Sequence, residues 1–423
     1  MNNNNGIIDQ RPTTNDQRPT TNDQPIAVHL NFRAFMNKGK NGFNAVAGGI
    51  FAYQYELTKR LAQYDDLNVD PFYFSVRHRY DVPGLNSLLR RIFFPARFTI
   101  RTKSHGIRSF VLNFLFRLIR PFISLDFLTG GSKDDVYVSF FGIPNMPIKG
   151  KLIAVIHDIV PLRLEYDPSR KEHTGGLSRD FMETFLKDNK DIIRRASKIV
   201  AVSKYTRKDF AEYFNIDESR IEVVYSNIKP FVYSREYDLN LIREKYNLPE
   251  RYILYFGSCH KRKNVETLIR AYAKLHETIQ SEYKLVITNP VEDTTDCVND
   301  CGISDYVHYI EAIPEADKPA IYQMASVSVW PSLYEGFGLP VLEAMASGVP
   351  VICSNVTSMP EVAGDAAILV DPLDASGMAR EIERVLTDSE LRKELIAKGY
   401  ENIKRFSWDE SAKKFHDIIM SLQ

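Results

Sequence analysis

Short apolar runs alternate with helical spacing along most of this chain. Residues 26–30, 136–138, 152–156 and 199–202 are mainly apolar runs of strand length, and a run of this kind bounded by turn residues predicts a buried strand. Residues 50–61 show helical spacing and follow a turn of small residues. A strand, a glycine turn and a helix in this order are typical of the opening unit of a Rossmann-like domain.

The alternation pauses near residues 246–251 and then starts again. Further strands are predicted at 252–256, 284–288, 327–330 and 349–353, with helical segments between them. Strands that alternate with helices predict parallel sheets covered by helices. The fold class predicted is therefore α/β, with two Rossmann-like domains that face each other across a cleft.

Four residues predict where helices begin or end. Ser203 and Asn264 stand where an N-cap is expected, and Pro340 stands where a first helical position is expected. Gly348 is expected to close the helix that follows Pro340.

The first residues are polar and repeat the heptapeptide DQRPTTN twice in tandem. Asn, Asp, Gln, Thr and Pro cannot bury enough apolar area to offset the entropy lost on ordering, so we expect this segment to be disordered. The predicted organisation is a disordered tail over 1–24, a first domain over 25–247, a second domain over 248–405 and a final helix over 406–423.

Composition excludes few functions. The chain has 423 residues, is 44% apolar, carries no formal net charge and contains four cysteines, too few for a disulfide scaffold. The start has no basic residues and no apolar run, and no stretch of 18 uncharged apolar residues occurs, so we expect neither a secretory signal nor a membrane span. The expected compartment is the cytoplasm.

The most informative motif is YEGFGLPVLEAMASG, at residues 334–348. Its two glycines allow close approach of the backbone to a ligand, and the free N–H groups at a helix start can bind a phosphate. Glu335 lies on the loop and Glu343 one turn into the helix, so the two carboxylates could bind hydroxyls at opposite ends of one ligand. A plain strand–loop–helix connection with solvated glutamates is the alternative, and Val341 replaces the third glycine of a dinucleotide fingerprint.

This motif resembles the E-x7-E signature of family 4 retaining glycosyltransferases, which have the GT-B fold. The resemblance continues in family order through residues 349–352, 359–362 and 364–372, and upstream through 257–264. It implies a nucleotide-sugar donor bound by the second domain, and a glycan or lipid-linked acceptor bound by the first. It also implies that the final helix crosses back onto the first domain.

The resemblance also implies roles for individual residues. His157 would lie between the donor sugar and the acceptor, and His157 and Glu335 would be the catalytic residues. Residues 257–264 would form a basic loop, whose Arg262 and Lys263 would hold the diphosphate. The implied donor-binding residues are Gly48, Gly49, Arg262, Lys263, Glu335, Gly336, Phe337, Gly338, Leu339 and Glu343.

Alternatives remain open at several of these positions. Gly48 and Gly49 could form an ordinary turn, Asp158 could cap a helix, and residues 261–263 could be a solvated basic turn. Ser258 replaces an arginine that many relatives carry, and the loops at 226–228 and 288–290 also depart from the family pattern.

No Asp-x-Asp pair occurs in the chain, so we expect no metal and no other cofactor. Retention in this family is attributed to attack on the same face of the sugar, with the leaving phosphate helping to deprotonate the acceptor. No separate base is therefore expected.

The stretch HDIVPL, which begins at His157, resembles bacterial mannosyltransferases, so GDP-mannose is the expected donor. A UDP-sugar such as UDP-glucose is the alternative. A nucleotide-sugar epimerase and a non-catalytic nucleotide-sugar sensor are the rival functions.

Residues 77–120 contain ten basic residues and one acidic residue. The predicted helix at 110–123 has a narrow polar stripe and a wide apolar face. Such a helix could bind an anionic membrane at the inner face of the plasma membrane, or could pack in the core with its stripe facing water. Nucleic acid is not an expected partner, because no recognition module accompanies the charge.

Overall fold

A computed structural model describes residues 25–32, 36–39, 42–45, 49–73, 132–140, 147–163, 179–229, 232–233 and 235–423. The polar tail, Gly48 and the basic segment at 77–120 lie outside the described residues, so the expectations for them stay predictions. Across the described ranges, no helix is both long enough and apolar enough to cross a bilayer.

The two halves of the chain each contain a six-stranded sheet. In chain order, the first half contains β1 (Ile26–Phe32), β2 (Met36–Gly39), β3 (Gly42–Ala45), α1 (Gly49–Leu61), β4 (Leu67–Tyr73), β5 (Val136–Ser139), β6 (Lys151–Ile156), α2 (Val160–Arg163), α3 (Arg179–Arg195), β7 (Lys198–Ala201), α4 (Lys204–Phe214) and β8 (Ile221–Val223). The second half contains α5 (Leu239–Tyr246), β9 (Tyr252–Tyr255), α6 (Val265–Tyr272), α7 (Glu277–Glu282), β10 (Lys284–Thr288), α8 (Glu292–Asp300), β11 (Val307–Ile310), α9 (Lys318–Gln323), β12 (Val327–Trp330), α10 (Leu339–Ala346), β13 (Val351–Ser354), α11 (Met359–Ala363), β14 (Ile368–Val370), α12 (Ala375–Thr387), α13 (Ser389–Ile403) and α14 (Trp408–Met420).

Both six-stranded sheets are parallel. The first has the order β4-β1-β5-β6-β7-β8 and the second the order β11-β10-β9-β12-β13-β14, while β2 and β3 form a separate antiparallel pair. The second order is that of a Rossmann sheet, in which ligands bind beyond the carboxyl ends of the strands where the order reverses. In this sheet that point lies between β9 and β12. The predicted α/β fold class is confirmed.

The sequence predicted most of the strands because their side chains are buried on both faces of the sheet. Every residue of β5, β9, β12 and β13 is buried, which explains their continuous apolar runs. The edge strands β4, β11 and β14 were not predicted. Pro71 interrupts the apolar pattern of β4 and is tolerated because it lies on an edge strand of the described sheet, and three of the four residues of β11 are partly exposed.

All four residues lie at helix ends, although Pro340 is one position later than predicted. Ser203 accepts a hydrogen bond from the N–H of Thr206 at 2.9 Å, and Pro340 is the second residue of α10. Gly348 has a φ of +72° just after α10, a conformation that favours glycine.

Asn264 lies at the N-cap position of α6, as predicted, but its side chain does not make the capping hydrogen bond. This residue precedes α6 with a φ of +57°, and its side chain accepts no hydrogen bond from a helical N–H group. Its amide instead donates to the carbonyls of Pro331, at 3.0 Å, and Pro372, at 2.7 Å. Asn264 therefore ties the basic loop to the ends of neighbouring strands.

The last helix returns to the first half of the chain, as expected. Ser407 caps α14, which packs against α1. The Trp408 and Tyr53 rings are 5.7 Å apart, and Arg60 donates to Asp409 at 2.5 Å. The C-terminal helix therefore connects the two halves.

The predicted division of the chain at 247 and 248 stays a prediction. By its contacts, α5 already packs on the second half: it touches α9, and Lys245 contacts Asp317 at 2.5 Å. The hydroxyl of Tyr246 also donates to Asp317, at 2.6 Å.

Candidate active site

Residues 335–338 form the glycine loop, which lies between β12 and α10. The loop begins at the point where the second sheet reverses its strand order. Gly338 has a φ of +115°, a backbone conformation that requires glycine, and an added Cβ would also displace the Cε atom of Met359, 2.2 Å away. The hydroxyl of Ser358 donates to the carbonyls of Glu335, at 2.9 Å, and Phe337, at 2.7 Å. The loop is therefore held in one shape before α10 begins.

Glu335 lies at the centre of a buried cluster of charges. Lys263 and Ser332 donate to its Oε1 atom, the hydroxyl at 2.8 Å, and Arg262 donates to Oε2 at 3.2 Å. Glu335 and Lys263 are each only 8% exposed, and the Lys263 ammonium lies 4.8 Å from the centre of the Trp330 ring. The structure thus brings together the basic loop and the first carboxylate.

Burial and the neighbouring charges act in opposite directions on the pKa values of this cluster. Burial raises the pKa of the Glu335 carboxyl, but the positive charges of Lys263 and Arg262 outweigh that effect and the net pKa lies below its ordinary value. Burial lowers the pKa of Lys263, opposed by the charge of Glu335. Burial also acts to lower the pKa of Arg262, but Glu335 raises it above its ordinary value. The site can therefore offer positive charge to a diphosphate.

Glu343, the second carboxylate, has partners that the sequence did not reveal. Tyr233 donates to its Oε1 atom at 2.9 Å, Lys318 contacts the same atom, and Tyr322 donates to Oε2 at 3.2 Å. Glu343 is 6% exposed. Lys318, Tyr322 and Tyr233 are separated from it by 25, 21 and 110 positions, so no local spacing could indicate the cluster.

The glycine loop packs directly against the first half of the chain. An added Cβ at Gly336 would lie 1.9 Å from the carbonyl oxygen of His157. The carbonyl of Gly336 accepts hydrogen bonds from Ser203, at 2.7 Å, and Thr206, at 2.9 Å. His157 and the glycine loop are therefore neighbours across the cleft.

His157 follows β6 at its carboxyl end. Its Nε2 atom donates to the carbonyl of Phe140 at 3.0 Å, and its ring meets the Tyr53 ring edge-on with 5.3 Å between centres. Burial lowers the pKa of His157 to about 4, opposed by the bond to Phe140. The imidazole is therefore neutral at neutral pH.

Asp158, the next residue, has the capping contact that the sequence left open. One oxygen accepts from the N–H of Val160 at 3.2 Å, at the start of α2. Burial raises the pKa of Asp158, while the nearby charge of Arg262 acts to lower it. A carboxyl group of the first half thus faces the basic loop of the second.

Further polar contacts hold the two halves together around the loop. The carboxylate of Glu361 accepts from the N–H groups of Lys204 and Tyr205, both at 2.9 Å, and from the hydroxyl of Tyr225 at 2.8 Å. Tyr334 donates to Asp209 in α4. A residue of α11 therefore occupies the start of α4, where free N–H groups favour an anion.

The other residues implied by the resemblance have mixed surroundings. The Phe337 ring is buried against Phe406, with 5.5 Å between ring centres, and Leu339 is partly buried at the start of α10. Gly49 is the first residue of α1. Among the residues placed by the structure, no group of three His, Cys, Asp or Glu side chains is arranged to hold a metal ion.

Comparisons with protein families match both halves of the chain. Residues 47–230 match the family described as Glycosyltransferase Family 4, and residues 240–402 match Glycosyl transferases group 1. The chain is 32% identical to the O-antigen chain mannosyltransferase B of Escherichia coli over 276 residues, which is 63% of this chain and 70% of that protein. It is 31% identical to the serotype-specific mannosyltransferase WbdA of Escherichia coli over 67% of this chain, but the match spans only 34% of that protein.

Solved structures of low sequence identity share the fold. WaaG, a glycosyltransferase involved in lipopolysaccharide biosynthesis, matches with a TM-score of 0.65 at 16% identity over 93% of this chain and 99% of that one. Sucrose-phosphate synthase from Thermosynechococcus elongatus matches with a TM-score of 0.67 at 20% identity over 94% of this chain and 99% of that one.

Proposed function

This chain belongs to glycosyltransferase family 4, and we propose that it transfers mannose from GDP-mannose, with retention, to a glycan or lipid-linked acceptor. The observation that supports this most is the pair of buried carboxylates beside the glycine loop, each neutralised by a lysine. Glu335 contacts Lys263 and precedes Gly336, which packs against His157 of the first half, whereas Glu343 contacts Lys318. A nucleotide sugar has hydroxyls at both ends and a diphosphate between them, which suits this order of groups.

The relatives support the choice of mannose. O-antigen chain mannosyltransferase B is similar over most of its own length, and its name states both the sugar and a polysaccharide product. We extend that activity to this chain as a proposal. A donor bound at this site would place its sugar near Glu335 and His157, and its ribose near Glu343.

In the proposed reaction, the bond between the sugar C1 and the diphosphate oxygen breaks, and the diphosphate leaves with the electron pair. The acceptor hydroxyl forms a new bond to C1 on the same face, and its proton passes to an oxygen of the leaving phosphate. Lys263, Arg262 and the N–H groups at the start of α10 stabilise the added negative charge. His157, which is neutral, can contact the sugar without adding charge.

A donor panel tests the proposed activity. The purified chain is incubated with GDP-mannose, UDP-glucose, UDP-N-acetylglucosamine and ADP-glucose, with a glycan or lipid extract as acceptor, and release of nucleoside diphosphate is measured. We expect release from GDP-mannose that depends on acceptor. Preference for a UDP-sugar would support the alternative donor, free UDP-sugar isomers would support an epimerase, and binding without turnover would support a sensor.

We also propose that the basic segment at 77–120 attaches the enzyme to anionic membrane. Each basic residue near such a surface contributes roughly 1 kcal/mol, and the effect falls off with distance and salt. We expect the wild type to sediment with anionic vesicles at low salt, and a variant with Arg90, Arg91, Arg117 and Arg120 changed to Gln to stay in solution while still binding donor. A wild type that stays in solution at low salt would support the core alternative.

A further inference from the structure

Asp209 is a buried carboxylate that the reaction described above does not use. It lies in α4 and is 5% exposed. Its two oxygens have partners in different halves of the chain. Arg163 of the first half donates to Oδ1, and the hydroxyl of Tyr334 in the second half donates to Oδ2. Asp209 therefore binds both sides of the cleft at once.

Both partners of Asp209 belong to segments that carry candidate catalytic residues. Arg163 is the last residue of α2, the short helix that begins just after His157. Its guanidinium contacts Oδ1 of Asp209 through Nε, at 2.8 Å, and through Nη2, at 2.7 Å. Tyr334 directly precedes Glu335 in the chain. One carboxylate thus connects the segment of His157 to the segment of Glu335.

The same face of α4 makes further contacts across the cleft. Ser203, Thr206 and Asp209 are spaced three residues apart, which places their side chains on one face of the helix. The hydroxyls of Ser203 and Thr206 both donate to the carbonyl of Gly336, and the Thr206 hydroxyl also lies 3.4 Å from the carbonyl oxygen of His157. The first two turns of α4 therefore lie between the glycine loop and the segment of His157.

We infer that Asp209 is a positioning residue that fixes His157 relative to Glu335, and that its hydrogen bond with Tyr334 holds the two halves in the arrangement required for transfer. The inference rests on the proposed function, because it concerns the alignment of a transfer site. It adds to that function a dependence of turnover on a residue outside the donor site. Affinity for the nucleotide should not depend on Asp209, because the groups that would hold the diphosphate lie in the second half.

The contact can be removed by deleting a single hydroxyl. Tyr334 is 3% exposed, and its ring meets the ring of Tyr205 in α4 edge-on with 5.8 Å between centres, so phenylalanine fits the same space. Burial raises the pKa of the Tyr334 hydroxyl, and the charge of Asp209 adds to that effect. Tyr334 is therefore the donor in this hydrogen bond and Asp209 the acceptor.

The test compares Tyr334→Phe, Asp209→Asn and the double variant with the wild type. Asp209→Asn leaves one acceptor oxygen for two donors. We expect kcat to fall roughly tenfold or more in each single variant, because a small misplacement of reacting groups costs much of the rate. GDP affinity, measured by calorimetry, should stay within about threefold. The double variant should be no more than about twofold worse than Asp209→Asn, because both changes remove the same contact.

Hydrogen exchange, followed by mass spectrometry, measures the positioning independently of activity. Peptides that contain His157 and Glu335 should both exchange faster in Tyr334→Phe than in the wild type. Glu212→Gln is the matched control, because Glu212 lies in the same helix but is exposed and contacts only Lys208 among the ion pairs of the described residues, at 3.7 Å. Its kinetics and its exchange should equal those of the wild type.

Wild-type kcat in folded Tyr334→Phe would overturn the inference. So would additive losses in the double variant, or an equal loss of kcat and GDP affinity. If Asp209→Asn does not fold, Tyr334→Phe decides alone.

The two readouts separate this inference from the proposed function. If the chain prefers a UDP-sugar, the kinetics are measured with that donor and the affinity with UDP, and only the choice of GDP-mannose fails. If the wild type transfers no sugar from any donor, the proposed function fails. Hydrogen exchange then decides whether Asp209 holds the two segments together, and unchanged exchange in Tyr334→Phe would overturn the inference.

Discussion

The two carboxylates of the E-x7-E motif have similar charge partners but different neighbours. Glu335 is paired with Lys263 and Arg262 on a loop that touches the first half of the chain, through Gly336 and His157. Glu343 is paired with Lys318 and two tyrosines within the second half and its connecting segment. The surroundings of Glu335 therefore depend on how the two halves of the chain pack together. The surroundings of Glu343 do not involve the first sheet.

This difference indicates that the two carboxylates have separate roles in turnover and in nucleotide binding. Groups at the Glu335 end lie where a sugar and an acceptor would meet, so changes there should affect turnover. Groups at the Glu343 end lie in the second half and the connecting segment, away from His157 and the first sheet, so changes there should affect affinity for the nucleotide. The predictions that follow test this division.

The largest effect is expected from Lys263→Ala, which removes the buried cation beside Glu335. A charge-assisted contact of this kind contributes roughly 1.5–3 kcal/mol, so kcat/KM should fall about 10- to 150-fold. Lys261→Ala is the control, because Lys261 lies in the same turn but is exposed and contacts Asp293 at 3.7 Å. Equal activity of folded Lys263→Ala and wild type would remove Lys263 from the site.

Gly336→Ala tests the contact between the Glu335 end and the first half. The added methyl would lie 1.9 Å from the backbone oxygen of His157, which cannot move without its strand. Overpacking destabilises a fold by about 1–3 kcal/mol, so we expect the loop to shift away from the first half and turnover to fall. Affinity for GDP should change less.

The matched control for Gly336→Ala is Gly399→Ala, whose methyl would meet only the Met345 side chain at 3.3 Å or more, plus its backbone at 3.6 Å. Its kinetics should resemble the wild type. If Gly336→Ala weakens GDP binding as much as it slows turnover, the proposed division between the two ends is wrong.

The sequence predicted the Glu335 end better than the Glu343 end, for a physical reason. The glycine loop, α10 and the basic loop are local segments whose composition follows from their backbone shape, as at Gly338 and Gly348. Lys318 and Tyr233 reach Glu343 from other elements, and nothing in their local sequence indicates the contact. The side-chain contacts of Asn264 were missed in the same way, because its partners Pro331 and Pro372 are distant in sequence.

The pH dependence of stability tests the neutral state of His157. Its folded pKa of about 4 lies below the ordinary value of 6.5, so the unfolded chain binds a proton in this interval that the folded chain does not. The stabilisation is therefore complete above about pH 6.5 and is lost as the pH falls toward 4, by up to about 3 kcal/mol. Denaturant unfolding from pH 7 to 4.5 measures it, and His157→Gln should show a smaller decline; an identical decline would contradict this assignment.

The smallest effect is expected from removal of metal ions. Lys263, Arg262 and the start of α10 supply the positive charge at the Glu335 end, so activity in excess EDTA should stay within about twofold of the untreated enzyme. Loss of activity on chelation, restored by magnesium or manganese, would show that these groups are not sufficient.

The central claim is that Glu335 binds the donor sugar and Glu343 the donor ribose. Its most direct test is calorimetric binding of GDP and GDP-mannose to the wild type, Glu335→Gln and Glu343→Gln. We predict that Glu335→Gln reduces the preference for GDP-mannose over GDP, and that Glu343→Gln weakens both ligands by the same factor. Equal weakening of both ligands by Glu335→Gln, or unchanged GDP affinity in Glu343→Gln, would contradict the claim.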